Sequence, residues 1–329
     1  MFIVTSNNGG SPFVVSVDRQ TARAVRGLGV LSSYAKLWGP HMELLKATAG
    51  GVLAVVSRQP CQRCALSQAE FLIAPDGSVR RVATLPTIVP SMTGTTETAP
   101  ALDVAATWVL RWPHVGPCTL RLAPGTRPAV RVPCGDLVRA TGAGVILAPG
   151  NGGPGERLVN PFMGSVRARV SGSLFPIHGD LLLENDGLQP GGPTGTQFGN
   201  LSLVNLTSGD RRQLPWPSYF GNLIRVAVEP HGSLVAIDFG SPAYPGPAQA
   251  EDIWMLDTAT GNFTHMPGYP AQVEIKFSNI TWTNDDRLVI VAQGAGRTVV
   301  GIWKPTGATL PLRTLPILQG YNSFVPIAG

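Results

Sequence analysis

At 329 residues with 43% hydrophobic content, the chain is long enough to bury a sizeable core. Its 39 glycines and 30 prolines, against 14% charged residues, exclude long helices and demand many turns, and no apolar run reaches the length of a transmembrane helix. The formal charge of +5 would suit a polyanion, but the 21 arginines and 4 lysines are spread along the chain without an interleaved aromatic platform, which argues against nucleic acid.

The chain opens on MFIVTSNNGGSPF, which lacks a basic segment followed by an apolar one and reads as a strand rather than a signal peptide. An exported form would carry its leader or anchor outside this sequence. Next comes FVVSVDRQTARAV (13–25): a short apolar strand, a turn, and a second strand carrying arginine. The same hairpin recurs as FLIAPDGSVRRVA (71–83), TLRLAPGTRPAVRV (119–132), LSLVNLTSGDRRQL (201–214), IWMLDTATGNFTHM (253–266) and GIWKPTGATLPLRTL (301–315). The turn residues Asp18, Asp76, Pro124, Asn205, Asp257 and Pro305 recur at intervals of 48 to 58 residues, apart from one interval of 81. A degenerate copy, LVNPFMGSVRARV (158–170), turns near Pro161 and Gly164 and fills that gap. Self-similarity at this period is the signature of a propeller, in which stacked repeats supply one another's core. The expectation is an all-β, single-domain chain over 1–329: a seven-bladed β-propeller of four-stranded antiparallel blades, in preference to six or eight blades.

Inner strands precede the hairpins at VLAVV (52–56), TWVLRW (107–112), GVILA (144–148), DLLLEN (180–185), SLVAIDF (233–239) and RLVIVA (287–292). The first hairpin has only MFIVTS before it, and the carboxy terminus ends in a strand without a blade, NSFVPIA (322–328). This tail is expected to close the propeller as the innermost strand of the first blade. Arginines 23, 80, 81, 131, 167, 169, 211, 212 and 313 fall on the second strand of the hairpins, where charge on an outer edge blocks edge-to-edge association.

Four cysteines form two local couples. Cys118 and Cys134 bracket the third hairpin and are expected to stand directly opposite each other, close enough for a disulfide. Cys61 and Cys64 form a CxxC in a loop. Two structural disulfides are the favoured reading and point to an oxidising compartment; free thiols, a metal site across the two couples, and redox chemistry are the alternatives.

The pattern EPHGSLVAIDF…EDIWMLDTATGNF, with its relative ITWTNDDRLVIVA…VVGIWKPTG, resembles the TolB-type and WD-repeat-like propellers of bacterial exported proteins. The resemblance implies a repeat architecture over the whole chain. It carries over no catalytic residue, because its motifs are structural.

Function is expected in the long connections between blades, which share one face. All five tyrosines, Tyr34, Tyr219, Tyr244, Tyr269 and Tyr321, map to them, together with Trp38, Trp216 and Phe220. Of the histidines, His178 and His231 occupy turn positions, while His41 and His114 are the candidates for an acid–base role. HExxH, GxSxG and P-loop spacings do not occur. Glu70, Glu97, Glu184, Asp186, Asp238, Glu251, Asp252 and Glu274 are expected to be solvated loop carboxylates; adjacent Glu251 and Asp252, if in a strand, would point to opposite faces. The leading expectation is a non-catalytic, monomeric, extracytoplasmic binding or scaffolding propeller, without metal or cofactor, that engages a protein or glycan through the aromatic face. The alternative is a hydrolase or lyase acting on a sugar or small ligand at the central channel; a cytoplasmic location is the alternative to export.

Overall fold

The computed structural model describes residues 1–7, 12–28, 41–61, 64–85, 87–88, 94–101, 106–113, 115–150, 155–186, 200–218, 222–240, 249–269, 271–273, 275–294, 297–305, 307–315 and 321–327. Among them there is no α-helix, and the strands form seven antiparallel sheets. Blade 1 contains β1 (Phe2–Asn7), β2 (Phe13–Ser16) and β3 (Thr21–Ala24). Blade 2 contains β4 (His41–Thr48), β5 (Gly51–Arg58), β6 (Ser67–Ile73) and β7 (Val79–Thr84). Blade 3 contains β8 (Gly94–Pro100), β9 (Thr107–Pro113), β10 (Cys118–Ala123) and β11 (Val130–Val132). Blade 4 contains β12 (Asp136–Thr141), β13 (Gly144–Ala148), β14 (Glu156–Val159) and β15 (Val166–Val170), and blade 5 contains β16 (Ser173–Pro176), β17 (Leu181–Asp186), β18 (Asn200–Asn205) and β19 (Arg211–Leu214). Blade 6 contains β20 (Asn222–Val228), β21 (Leu234–Gly240), β22 (Gln249–Asp257) and β23 (Phe263–His265), with a short fifth strand, β24 (Ala271–Val273), on the start of β22. Blade 7 contains β25 (Ile275–Trp282), β26 (Leu288–Gly294), β27 (Arg297–Trp303) and β28 (Leu312–Leu315). The last strand, β29 (Tyr321–Ile327), pairs with β1 and completes blade 1.

The chain is thus a seven-bladed β-propeller whose first blade is closed by its carboxy-terminal strand. The hairpin at 158–170 is β14–β15, so the degenerate copy is a true repeat. Tyr321 does not lie in a connection: it opens β29 opposite Asn7, where the register with β1 shifts and lets main-chain pairing run one step further than the apolar pattern suggested.

By packing, the chain divides into two compact units, Met1–Arg58 with Ala69–Val82 and Pro217–Gly329, and Gln59–Gln68 with Ala83–Trp216. In the first, Ile3, Val15, Val289, Val300 and Phe324 form one buried cluster, and Val4, Val52, Ala54, Ile73 and Ile327 another. Both contain β29 side chains, so closure of blade 1 is also apolar burial. In the second unit, Trp108, Leu110, Cys118, Leu120, Val145 and Val159 pack together.

The last strands of the blades carry exposed arginines 23, 80, 81, 131, 169, 211, 212 and 313, with Arg167 half-buried. Several are tied back to carboxylates: Arg313 to Asp18 at 2.8 Å, Arg167 to Asp180 at 2.7 Å and Arg211 to Glu184 at 2.5 Å. Both cysteine couples are disulfides, and no described cysteine is free. Cys118 and Cys134 do not stand directly opposite each other. The residue facing Cys118 is Val132, and Cys134 lies two residues further on, beyond the end of β11, with its Cα 5.1 Å from that of Cys118. The register of β10 and β11 is set by the pairing of Leu120 with Val130, which leaves the bond to run diagonally.

Candidate functional site in blade 6

The first strands of blades 2, 4 and 6 share a device that the local pattern obscures. Each carries one extra residue, a β-bulge, so that the pairing runs Leu44 to Ala54 and then Lys46 to Leu53, Leu137 to Leu147 and then Arg139 to Ile146, and Leu223 to Phe239 and then Arg225 to Asp238. A bulge re-aims the side chain that follows it. In these three blades that residue is a cation, whereas Phe277 follows the corresponding bulge of blade 7, and each cation has a glutamate on the third strand of its blade. Lys46 acts on Glu70, Arg139 lies 3.9 Å from Glu156, and Arg225 lies 3.6 Å from Glu251. The sequence signal is the repeated run Leu44-Leu45-Lys46-Ala47-Thr48, Leu137-Val138-Arg139-Ala140-Thr141 and Leu223-Ile224-Arg225-Val226-Ala227.

Blade 6 departs from the other two copies. Opposite the cation, blades 2 and 4 place Leu53 and Ile146, whereas blade 6 places Asp238. Asp238 is fully buried, accepts a hydrogen bond from Arg225 Nη1 at 2.9 Å through Oδ2, and has no hydrogen-bond partner for Oδ1 among the described residues. Burial, and then the neighbouring Glu251 carboxylate, push its pKa up to about 8 against the opposing pull of Arg225. Near neutrality this carboxyl therefore retains its proton to a large extent. Glu251, 2% exposed, is the second acid of the group.

Tyr269 stands beside them. Burial, followed by the negative potentials of Glu251 and Asp238, raises its phenol above the ordinary range, so it stays a neutral hydroxyl. Tyr269 also lines an open cleft of about 340 Å³ together with Pro267, Ile290, Val299, Leu310 and Leu312. The wall is mostly aliphatic.

The opposite face of the same sheet holds a second polar node. Asp252 alternates with Glu251 along β22 and so faces the other way, as strand geometry requires. It accepts hydrogen bonds from Ser218 Oγ at 2.5 Å and Trp254 Nε1 at 2.8 Å, and its Oδ1 lies 2.6 Å from His265 Nε2. Because Asp252 sits between serine and histidine, the imidazole is not placed to take the serine proton, and the arrangement ties Ser218 to the blade.

The acidic residues are therefore not solvated loop groups. Glu70, Glu184, Asp238, Glu251 and Asp252 are 4%, 2%, 0%, 2% and 2% exposed, and all lie in strands. Glu97 accepts from the Leu137 backbone N–H, and burial raises its pKa. The hydroxyl of Ser171 holds Asp186 below the ordinary range. Among the proposed aromatics, Tyr269 and Trp216 are half-buried. Tyr34, Trp38, Tyr219, Phe220 and Tyr244 lie outside the described residues, as do Glu274 and His114. His41 begins β4 opposite Ser57. His178 and His231 both sit in turns, and His231 Nδ1 lies 3.3 Å from Asp286. Among the described residues, no group of three or more His, Cys, Asp or Glu side chains is placed to hold a metal ion.

No protein-family model matches the sequence, and comparison with curated proteins finds no match. Solved structures do match. The periplasmic gluconolactonase PpgL of Pseudomonas aeruginosa aligns over 98% of both chains with a TM-score of 0.57 and 9% identity. KlAtg21, in complex with the coiled-coil of AgAtg16, aligns over 84% of this chain and 85% of its own with a TM-score of 0.51 and 8% identity. BamB from Moraxella catarrhalis aligns over 95% and 87% with a TM-score of 0.44 and 11% identity. At these identities the likeness shows the fold alone, and that fold is a β-propeller.

Proposed function

We propose that the protein is a non-catalytic, extracytoplasmic binding propeller that receives an apolar segment of a protein partner against Tyr269, acting as a single-domain monomer. The cleft lined by Tyr269 carries this reading: about 340 Å³ of open space with a largely aliphatic wall and a neutral phenol in its lining. The lining offers few hydrogen-bonding groups, chiefly the hydroxyls of Tyr269 and Thr309, so a glycan would lose hydration there without replacement, whereas apolar side chains would not. Two disulfides support an oxidising compartment. Tyr34, Trp38, Trp216, Tyr219, Phe220, Tyr244 and Tyr321 belong to the wider surface in this reading. Affinity capture from an extracytoplasmic extract, followed by mass spectrometry, tests it. Tyr269→Ala is expected to lose the specific partner retained by the wild type, and an unchanged partner set overturns the reading.

A second reading, a hydrolase or lyase, is favoured by Asp238 and Glu251, adjacent acids of which one is held protonated near neutrality. Their burial argues against it, because a general acid must reach its substrate. Turnover of lactone or glycoside substrates that disappears in Asp238→Asn, with the fold retained, would replace the binding reading with this one.

A further inference from the structure

We propose that the tip of the blade 4 hairpin is a docking site for an acidic protein segment with an apolar anchor. Between β14 and β15 the chain turns through residues 160–165, leaving Phe162 52% and Met163 72% exposed. Loop tips usually carry small polar residues and move freely. This one is pinned. Asn160 Oδ1 accepts hydrogen bonds from the backbone N–H groups of Phe162 at 2.9 Å and Met163 at 3.1 Å, and the Gly164 N–H donates to the Asn160 carbonyl at 2.8 Å. Gly164, at φ +73°, lies so close to blade 3 that a Cβ would stand 1.9 Å from the Arg131 carbonyl oxygen. The Phe162 ring meets the largely buried Trp108 edge-on at 5.7 Å, and the Arg127 guanidinium covers it at 4.8 Å.

Aromatic, methionine and arginine side chains are those enriched in protein interfaces, and anchors ordered before binding lose less entropy on association. The charge of the patch selects the occupant. Arg127 and Arg131 are both exposed, and among the described residues neither has a carboxylate partner. An acidic segment supplies that partner while an apolar side chain covers Phe162 and Met163. A second copy of the chain is a poor occupant, since a two-fold contact on this patch would set arginines against arginines.

Full-length protein and a fluorescein-labelled peptide Glu-Asp-Phe-Leu-Asp-Glu, followed by fluorescence anisotropy, test the proposal. Saturable binding is expected, weaker at higher salt, and weakened about ten-fold or more in both Phe162→Ser and Arg127→Glu. The Lys-Lys-Phe-Leu-Lys-Lys counterpart is expected not to bind, and Tyr269→Ala to leave binding of the acidic peptide unchanged, which separates this site from the cleft. If Phe162→Ser disturbs the fold by circular dichroism, Met163→Ser takes its place with the same expectation. Absence of saturable binding, equal binding of the basic peptide, undiminished binding by the variants, or self-association dispersed by Met163→Ser would each overturn it.

Discussion

Arg225 and Asp238 face each other across β20 and β21, with guanidinium nitrogen and carboxyl oxygen 2.9 Å apart, in the register that the turn joining the two strands sets from Val228 and Val235 outward. The bulge lies just beyond this pair and takes up Ile224, so that Leu223 stands opposite Phe239.

Asp238 titrates near 3.8 in an unfolded chain and about 8 in the fold. Between those values the folded state holds a proton that the unfolded state has released, so its contribution to stability is full below the lower value and is lost as pH rises through the upper. Urea unfolding at pH 5, 6.5 and 8 is expected to show this group lowering stability with rising pH, and Asp238→Asn to flatten that slope. An unaltered slope in the variant would assign the pH dependence elsewhere.

Removing Arg225 leaves two buried acids without their cation, whereas removing Asp238 restores the pattern of blades 2 and 4. Arg225→Met is expected to cost about 2–3 kcal/mol, the buried-pair figure reduced because the guanidinium is partly exposed. Asp238→Leu is expected to cost less than about 1.5 kcal/mol, as Arg225 retains Glu251 and the leucine matches Leu53 of blade 2. Chemical denaturation of the two variants in parallel gives the comparison.

The two disulfides differ in setting. Cys118 is fully buried in the core of blades 3 and 4, whereas Cys61 is exposed in the β5–β6 connection. Stepwise addition of a dithiol, with alkylation and intact mass, is expected to release the 61/64 pair first, because exposed bonds are the more accessible to thiolate attack. Replacing Cys118 and Cys134 by alanine is expected to lower stability by about 3 kcal/mol, the figure for a loop of this length.

Closure of blade 1 places Phe324, 4% exposed, in a cluster with Ile3, Val15 and Val289. Phe324→Ala is expected to cost about 3–5 kcal/mol, which equilibrium unfolding measures. A cost below about 1 kcal/mol would mean that β29 holds mainly through its main-chain ladder.

The hairpins were legible because each is local: FVVSVDRQTARAV contains its strand, turn and partner within thirteen residues, and so does the degenerate LVNPFMGSVRARV. The closing strand was legible by elimination, since one strand was missing at the start and one was left over at the end. The carboxylates were misread because acidic residues are exposed by default, and Glu184 or Asp238 inside an apolar strand is an exception that only its neighbours explain. The repeated Leu-x-Lys/Arg run was visible in the chain. Its meaning was not, because the partner glutamates lie 17 to 26 residues away at spacings that vary with the intervening loops.

Seven repeats, the blade hairpins with their outer arginines, and the return of the last strand to the first blade are readable along the chain, because strand periodicity and turn chemistry act over a few residues. Which charges are buried and which residues meet depends on how the strands pair and pack. Strand register and packing join residues distant in the chain: Asp238 faces Arg225 where blades 2 and 4 set Leu53 and Ile146 against the cation, and Tyr269 lies beside Asp238 and Glu251.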